Sequence, residues 1–230
     1  MIILALDTTT RSGSVALLHD GLVRIERSWD PTITHGQRLP GALTDVLQQA
    51  GVRIEDIDLF AVAAGPGSFT GLRVGIATIQ GLAMGHGKRV VAVSTLEALA
   101  RAGMNAQHTI GTWMDAQREE VFAALYAADG RDVLIPPVSA PPRAILDAWG
   151  TTRDVQHITF IGDGAVRHAD LLRQQIGADA RVIAPPPLAG LIGQVAADDP
   201  GRAVLPHAIV PIYVRTSDAE LARARRAAAQ

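Results

Sequence analysis

The sequence predicts an α/β protein of two lobes, and three observations carry that reading. Apolar runs of strand length alternate with stretches of helical period along the chain. The order of elements in the first half returns, loosely, in the second. In both halves an aspartate closes the first strand before the chain turns into another: Asp7 after Ile-Leu-Ala-Leu, Asp115 after Gly-Thr-Trp-Met. An internal duplication with its boundary near Gly103–Gln107 accounts for all three. It sets one lobe at residues 1–104 and a second at 105–230.

Residues 2–6 form a continuous apolar run, as in a strand buried on both faces. Asp7 to Gly13 is a polar turn, and Ser14–Leu18 is a second strand. His19-Asp20-Gly21 supplies hairpin chemistry before a third strand at 22–28. Leu39, Leu43, Val46, Leu47 and Ala50 stand at i, i+4, i+7, i+8 and i+11, which predicts a helix over 38–50. Pro40 is tolerable in its first turn and Gly51 ends it. A strand at 57–64, a helix at 69–85, a strand at 89–94 and a helix at 95–102 complete the first lobe.

In the second half, strands at 108–114 and 120–126 flank a turn beginning at Asp115. The proline pairs 136–137 and 141–142 predict a long loop, followed by a short helix to Trp149. Strand 157–161, helix 165–176, strand 181–184, helix 188–198 and strand 209–214 follow. The Ala/Arg-rich stretch from 217 reads as a terminal helix, placed to pack back on the first lobe.

Composition narrows the functional classes. With 230 residues, 48% of them apolar, the chain can bury a sizeable core. Lys and Arg number 21 against 23 Asp and Glu, so no strongly basic nucleic-acid footprint exists at whole-chain level. Zero cysteines exclude disulfide scaffolds, thiolate metal sites and cysteine nucleophiles. No apolar run reaches the ~18 residues of a membrane span, and the opening strand lacks the basic region of a signal peptide. The expectation is a soluble cytoplasmic protein without membrane contact.

His19, His35, His86, His108, His157, His168 and His207 include no pair three or four residues apart, so no helix offers two imidazoles to one metal. Gly65-Pro66-Gly67-Ser68-Phe69-Thr70-Gly71 follows a strand and opens a helix, where backbone amides can hold an anion. Its spacing is one residue longer than the dinucleotide fingerprint, and Pro66 removes a donor. A tight turn with Ser68 as N-cap is the simpler reading. A Walker loop is excluded, because Gly87-Lys88 has Leu82 and Arg89 at the wrong places. No G-x-S-x-G elbow is present.

Asp7-Thr8-Thr9-Thr10 is open to two readings. A carboxylate at a strand end followed by hydroxyls can hold a magnesium-bound phosphate, which makes Asp7, Thr8 and Thr9 the candidate nucleotide-binding residues. A capped hairpin turn explains the same residues. The helix at 69–85 is apolar almost all round. Phe69, Leu72, Ile76, Ile79 and Ala83 form a stripe expected to cover the sheet. Gly71, Gly75, Thr78, Leu82 and Gly85 form a second, suited to close approach by another helix. That helix is either the one at 38–50 or one from another chain.

With these residues in place, the sequence resembles the TsaB (YeaZ) family of bacterial proteins. The resemblance rests on Leu-Ala-Leu-Asp-Thr-Thr at 4–9, Ala-Gly-Pro-Gly-Ser-Phe-Thr-Gly-Leu-Arg-Val-Gly at 64–75 and Val-Ser-Thr-Leu-Glu-Ala-Leu at 93–99. Met-Asp-Ala-Gln-Arg-Glu-Glu-Val-Phe at 114–122 and Pro-Ile-Tyr-Val-Arg at 211–215 support it. It implies an actin-like (ASKHA), duplicated ribonuclease-H-like fold in two lobes. It also implies an accessory subunit required to place threonylcarbamoyladenosine (t6A) at adenosine 37 of tRNAs reading codons that begin with A.

By the same resemblance the partners are the catalytic paralogue TsaD and the ATPase TsaE, with tRNA reached through the complex. TsaD would dock on the helices at 38–50 and 69–85, which puts Leu39, Leu43, Gly71, Leu72, Gly75, Thr78 and Leu82 at the interface. An isolated chain would cover those helices by forming a homodimer. TsaD carries a metal-binding His-Leu-Glu-Gly-His segment where this chain has Thr95-Leu96-Glu97-Ala98-Leu99. A hydroxyl and an isobutyl group cannot replace the imidazoles, so the expectation is no enzyme, no catalytic residue and no bound metal. No cofactor is intrinsic; ATP or ADP with magnesium would sit at the partner interface. The alternative is an actin-like ATPase or phosphotransferase acting through Asp7, or a glycoprotease-type peptidase. Thr9 stands where the first usually has glycine, and the second lacks a nucleophile.

Overall fold

A computed structural model of the chain describes residues 1–29, 32–104, 108–150, 158–177 and 180–215. The first half runs β1 (Ile2–Asp7), β2 (Ser14–His19), β3 (Leu22–Ser28), α1 (His35–Ala50), β4 (Leu59–Gly65), α2 (Phe69–Gly85), β5 (Arg89–Ser94) and α3 (Thr95–Ala102). The second runs β6 (Thr109–Asp115), β7 (Val121–Tyr126), β8 (Val133–Ala140), α4 (Pro142–Trp149), β9 (Ile158–Ile161), α5 (Asp163–Arg167), α6 (Ala169–Ile176), β10 (Arg181–Ile183) and α7 (Ala189–Asp198).

The strands form two five-stranded sheets, ordered β3-β2-β1-β4-β5 and β8-β7-β6-β9-β10. In each, the first strand pairs antiparallel with the second and parallel with the fourth to be formed. The two halves therefore share one topology, and Asp7 and Asp115 occupy the same place in it. All seven residues of β4 are buried, which is why its sequence is apolar without alternation.

Three clusters of apolar side chains hold five layers together. α1 and α2 cover one face of the first sheet, with Leu39, Val46, Leu72, Ile76 and Ile79 against Leu4, Leu6, Leu17 and Phe60. α3 and α7 lie between the sheets and share a core with both. α4, α5 and α6 cover the far face of the second sheet, where Trp113, Trp149 and Phe160 meet with ring centroids 5.4–6.4 Å apart. Each such fully buried large side chain contributes about 1.5–3 kcal/mol. Among the described residues no helix is long and apolar enough to cross a membrane.

Helix ends follow local chemistry. Gly51 takes a left-handed conformation (φ 64°) after α1, its N–H bonding the Gln48 carbonyl and that of Val52 the Leu47 carbonyl. Ser68 Oγ accepts from Gly71 N at 3.2 Å and caps α2, as its position predicts. α7 has no cap of its own. Ser14 Oγ of β2 accepts from the amides of Leu188 and Ala189, and Glu26 of β3 accepts from Gly190 N at 2.8 Å.

Several expectations are corrected. Pro136 and Pro137 lie inside β8 and not in a loop. β8 is an edge strand that pairs with β7 alone, and its register shifts between Ile135 and Val138, so the missing N–H groups leave no ladder bond unmade. Residues 209–214 form no strand: Pro211 interrupts them, and Ile212 N to Ala64 O (2.7 Å) is the backbone bond that ties them to the end of β4. The helix expected over 165–176 is two, broken at His168; Ala165 and Leu172 face the same core, so the apolar period crosses the break. α7, from the second half of the chain, packs on β1, β2 and β4 of the first sheet. Residues 105–107 at the expected boundary, His157 and the terminal helix from 217 lie outside the described residues.

Candidate functional site

The Asp7 loop closes the top of β1 and faces the N-terminal turn of α2. Asp7 is fully buried. Its Oδ1 accepts from Thr9 N (2.7 Å) and Thr9 Oγ1 (2.6 Å), and its Oδ2 from Thr10 Oγ1. Thr8 Oγ1 donates to the Gly71 carbonyl at 2.7 Å, and Ser68 N donates to the Thr9 carbonyl at 2.9 Å. A carboxylate buried without a cation is costly unless donors satisfy it, and here the loop's own threonines do so. Asp7 and its threonines thus form a capped turn.

This geometry bears on a magnesium-bound phosphate. A metal ion on Asp7 would share its carboxylate with the Thr9 and Thr10 hydroxyls. Gly67 packs directly on this loop, since a Cβ added there would lie 2.6 Å from Thr9 Cβ. A cleft of about 310 Å³ opens between the lobes beside it, lined by Thr10, Arg11, Ser28 and Leu99 from the first lobe, with Met114 and Asp163 from the second.

The second aspartate is closed off differently. Asp115 Oδ1 accepts from Gln117 N at 2.9 Å, and Oδ2 takes an ion pair from Arg167 at 2.8 Å. Arg167 also reaches Glu119 at 3.0 Å, so its guanidinium is held charged by both carboxylates. Gln117, Arg118 and Glu119 are all left-handed (φ 55–60°), a rare run for residues with side chains. Arg215 ties this turn to the chain's end by donating to the Ala116 carbonyl at 2.9 Å. Arg167 carried no sequence signal, because nothing in its spacing links it to Asp115, 52 positions away.

Thr95 begins α3, Leu99 stands one turn on, and both are buried. Thr95 Oγ1 bonds Thr9 Oγ1 at 3.2 Å, and Leu99 joins the core between the sheets. Among the described residues, no three His, Cys, Asp or Glu side chains converge as a metal site.

The residues expected to face a partner lie at different depths in this chain. Gly71 and Gly75 are buried inside this chain, where a Cβ at either would overlap Thr8. Their close approach serves the Asp7 loop, and at Gly71 also His35 at the start of α1. Leu39 and Leu72 are buried in the core beneath α1 and α2, whereas Leu43, Thr78 and Leu82 are half-buried. Phe69, expected on the sheet, is 44% exposed: it packs on Tyr213 (centroids 5.8 Å apart) with the Arg73 guanidinium 3.9 Å over its ring. The outward face of α2 is instead Arg73, Ala77, Gly81 and Met84. Gly41 of α1 also points outward, and a Cβ at Gly41 or Gly81 would meet nothing within 4 Å.

Matched sheets about an interlobe cleft, each with an aspartate ending its first strand, define the actin-like class. A family model described as TsaD, tRNA N6-adenosine threonylcarbamoyltransferase, matches residues 32–150. The chain is 40% identical to the tRNA threonylcarbamoyladenosine biosynthesis protein TsaB of Escherichia coli, a match spanning 56% of each chain and so little more than half of that relative. It is 28% identical to the Bacillus subtilis TsaB over 96% of each chain. A Pseudomonas aeruginosa protein with similarity to peptidase YeaZ superposes with a TM-score of 0.76 at 28% identity, covering 93% of this chain and 99% of that one. The chain belongs to the TsaB (YeaZ) family.

Proposed function

We propose that this chain is a non-catalytic subunit in the biosynthesis of tRNA threonylcarbamoyladenosine. It docks on the transferase TsaD, is joined by TsaE, and meets tRNA through the complex, in the cytoplasm. The observation that carries this reading is the fate of Thr95 and Leu99. By resemblance they stand where TsaD binds its metal, yet one is spent on a bond to Thr9 and the other on the core. Asp7, the residue an actin-like ATPase would use, is buried and satisfied by its own loop.

The docking surface is the outward face of α1 and α2. Glycine in a helix interior costs about 1 kcal/mol relative to alanine. Gly81 carries that cost with no neighbour in its own chain that would require it, which suits the backbone of a partner. Nucleotide is bound weakly by the lone chain, if a partner surface is needed to complete its site, and an isolated chain pairs through the same helices. The test is reconstitution of t6A formation from purified components with and without this chain, alongside elemental analysis of tag-free protein. Omission should abolish modification. ATP turnover or transferase activity by the chain alone, or one iron or zinc per chain, would overturn the reading.

A further inference from the structure

At the opposite end of the first sheet from Asp7, a groove of about 380 Å³ opens between the strands and the end of α1. Ile2, Leu17 and Ile25 form its floor, and Ala50 and Val52 its roof. His19, Arg24 and Gln49 stand at the rim, and no carboxylate lines it. The pairing of β2 with β3 explains how Arg24 comes to be there. Leu17 faces Ile25 and Leu18 faces Val23, so Arg24 is an extra residue, a β-bulge. A bulge re-aims a side chain that regular alternation would send to the other face.

The nearest carboxylates are already engaged. Asp20 holds the N-terminal ammonium and His19, and Asp58 accepts from Ile2 N at 2.7 Å. The last carbonyls of α1 accept from Gly51 and Val52. Arg24 makes no ion pair or hydrogen bond among the described residues, and its charge is felt by Asp20 only at a distance. A second feature adjoins the groove. β3 is an edge strand, paired on one side by β2 alone, with Leu22 and Val23 exposed along it. Its outer N–H and C=O groups are a template for another extended segment.

We propose that this groove binds the carboxy-terminal segment of a partner polypeptide, extended along β3, with a large aliphatic last side chain on the apolar floor and its terminal carboxylate on Arg24. Strand addition supplies the backbone bonds, and alternate side chains of an added strand point into the groove. The cationic rim selects the carboxylate, and the open edge selects a peptide over a free fatty carboxylate. The site lies at the C-terminal end of α1, next to the face assigned above to TsaD, and does not rest on that function.

The test uses the full chain and a pool of octapeptides of mixed Ser, Thr and Val positions ending in leucine, as free acids and as carboxamides. Octanoate is the third ligand. The free acids should shift the methyl resonances of Leu17, Ile25 and Val52 and bind about tenfold tighter than the amides, the gain of one charge-assisted contact. Arg24→Gln should erase that preference, and Ala50→Trp, which fills the groove, should remove binding of both. Equal binding of acid and amide overturns the proposal, as does the absence of shifts at millimolar peptide. Octanoate binding as tightly as the peptide acids would overturn the choice of a polypeptide and leave a fatty carboxylate.

Discussion

Gly75 and Thr8 share one space: a Cβ at 75 would overlap the Thr8 hydroxyl, which already donates to the Gly71 carbonyl at 2.7 Å. The glycine spacing of α2 therefore serves the packing of the β1–β2 turn onto the helix. Gly75→Ala should lower stability by about 1–3 kcal/mol, the usual cost of overfilling a packed site. Gly81→Ala, in open space, should be neutral or stabilise by up to about 1 kcal/mol. Denaturant unfolding of the two variants checks both. Equal stability of Gly75→Ala and the parent would show that the loop gives way.

Gly81 is the position at which to test docking. Gly81→Arg adds a side chain at an exposed position whose Cβ meets nothing within 4 Å, so the fold should be unchanged by circular dichroism. If TsaD approaches this face, the variant buries an unpaired charge in the interface and co-purification with TsaD should be lost. A well-folded Gly81→Arg protein that still co-purifies stoichiometrically would place the partner elsewhere.

The Asp7 loop makes a prediction about nucleotide. Calorimetry of the isolated chain with magnesium and ATP or ADP should show no sub-micromolar binding, because the Thr9 and Thr10 hydroxyls already engage Asp7. Thr9→Gly removes one of them and should raise affinity. A tight complex of the parent chain that Asp7→Ala abolishes would restore the ATPase reading.

Much of this architecture was legible in the sequence, and the failures have physical causes. Asp7 and Asp115 marked the duplication because a polar residue ending a doubly buried strand is conspicuous. The ends of α1 and α2 were legible for the same reason, since Gly51 and Ser68 act through local geometry. The two uses of glycine in α2 were not separable. Gly71 and Gly75 are filled against by a loop more than 60 positions earlier, whereas Gly81 is not, and helical period is identical for both cases. Pro136 and Pro137 misled because a proline's tolerance depends on whether its strand is at an edge, which is a property of the sheet. The capping of α7 by Ser14 and Glu26 joins residues about 165–175 positions apart and left no local trace.

That last contact gives a pH dependence. Burial, with the like charge of Asp7 adding to it, raises the Glu26 carboxyl above its ordinary value near 4.5, and the Gly190 N–H opposes the shift. The folded chain therefore holds this proton more tightly than the unfolded chain does. Stability from Glu26 is fully present below pH 4.5 and falls as pH rises through the window between that value and the raised one. Glu26→Gln keeps an acceptor for Gly190 N and carries no charge to lose. His35 acts in the opposite sense, since burial lowers its value and stability drops as acid protonates it, but it is common to both proteins. The stability of Glu26→Gln minus that of the parent should thus increase with pH just above 4.5 and then level off. Chemical denaturation at steps from pH 4 to 7 measures it. A difference that is flat across that range would mean that Glu26 stays charged as readily in the folded chain as in water, and that α7 is not the reason for its position.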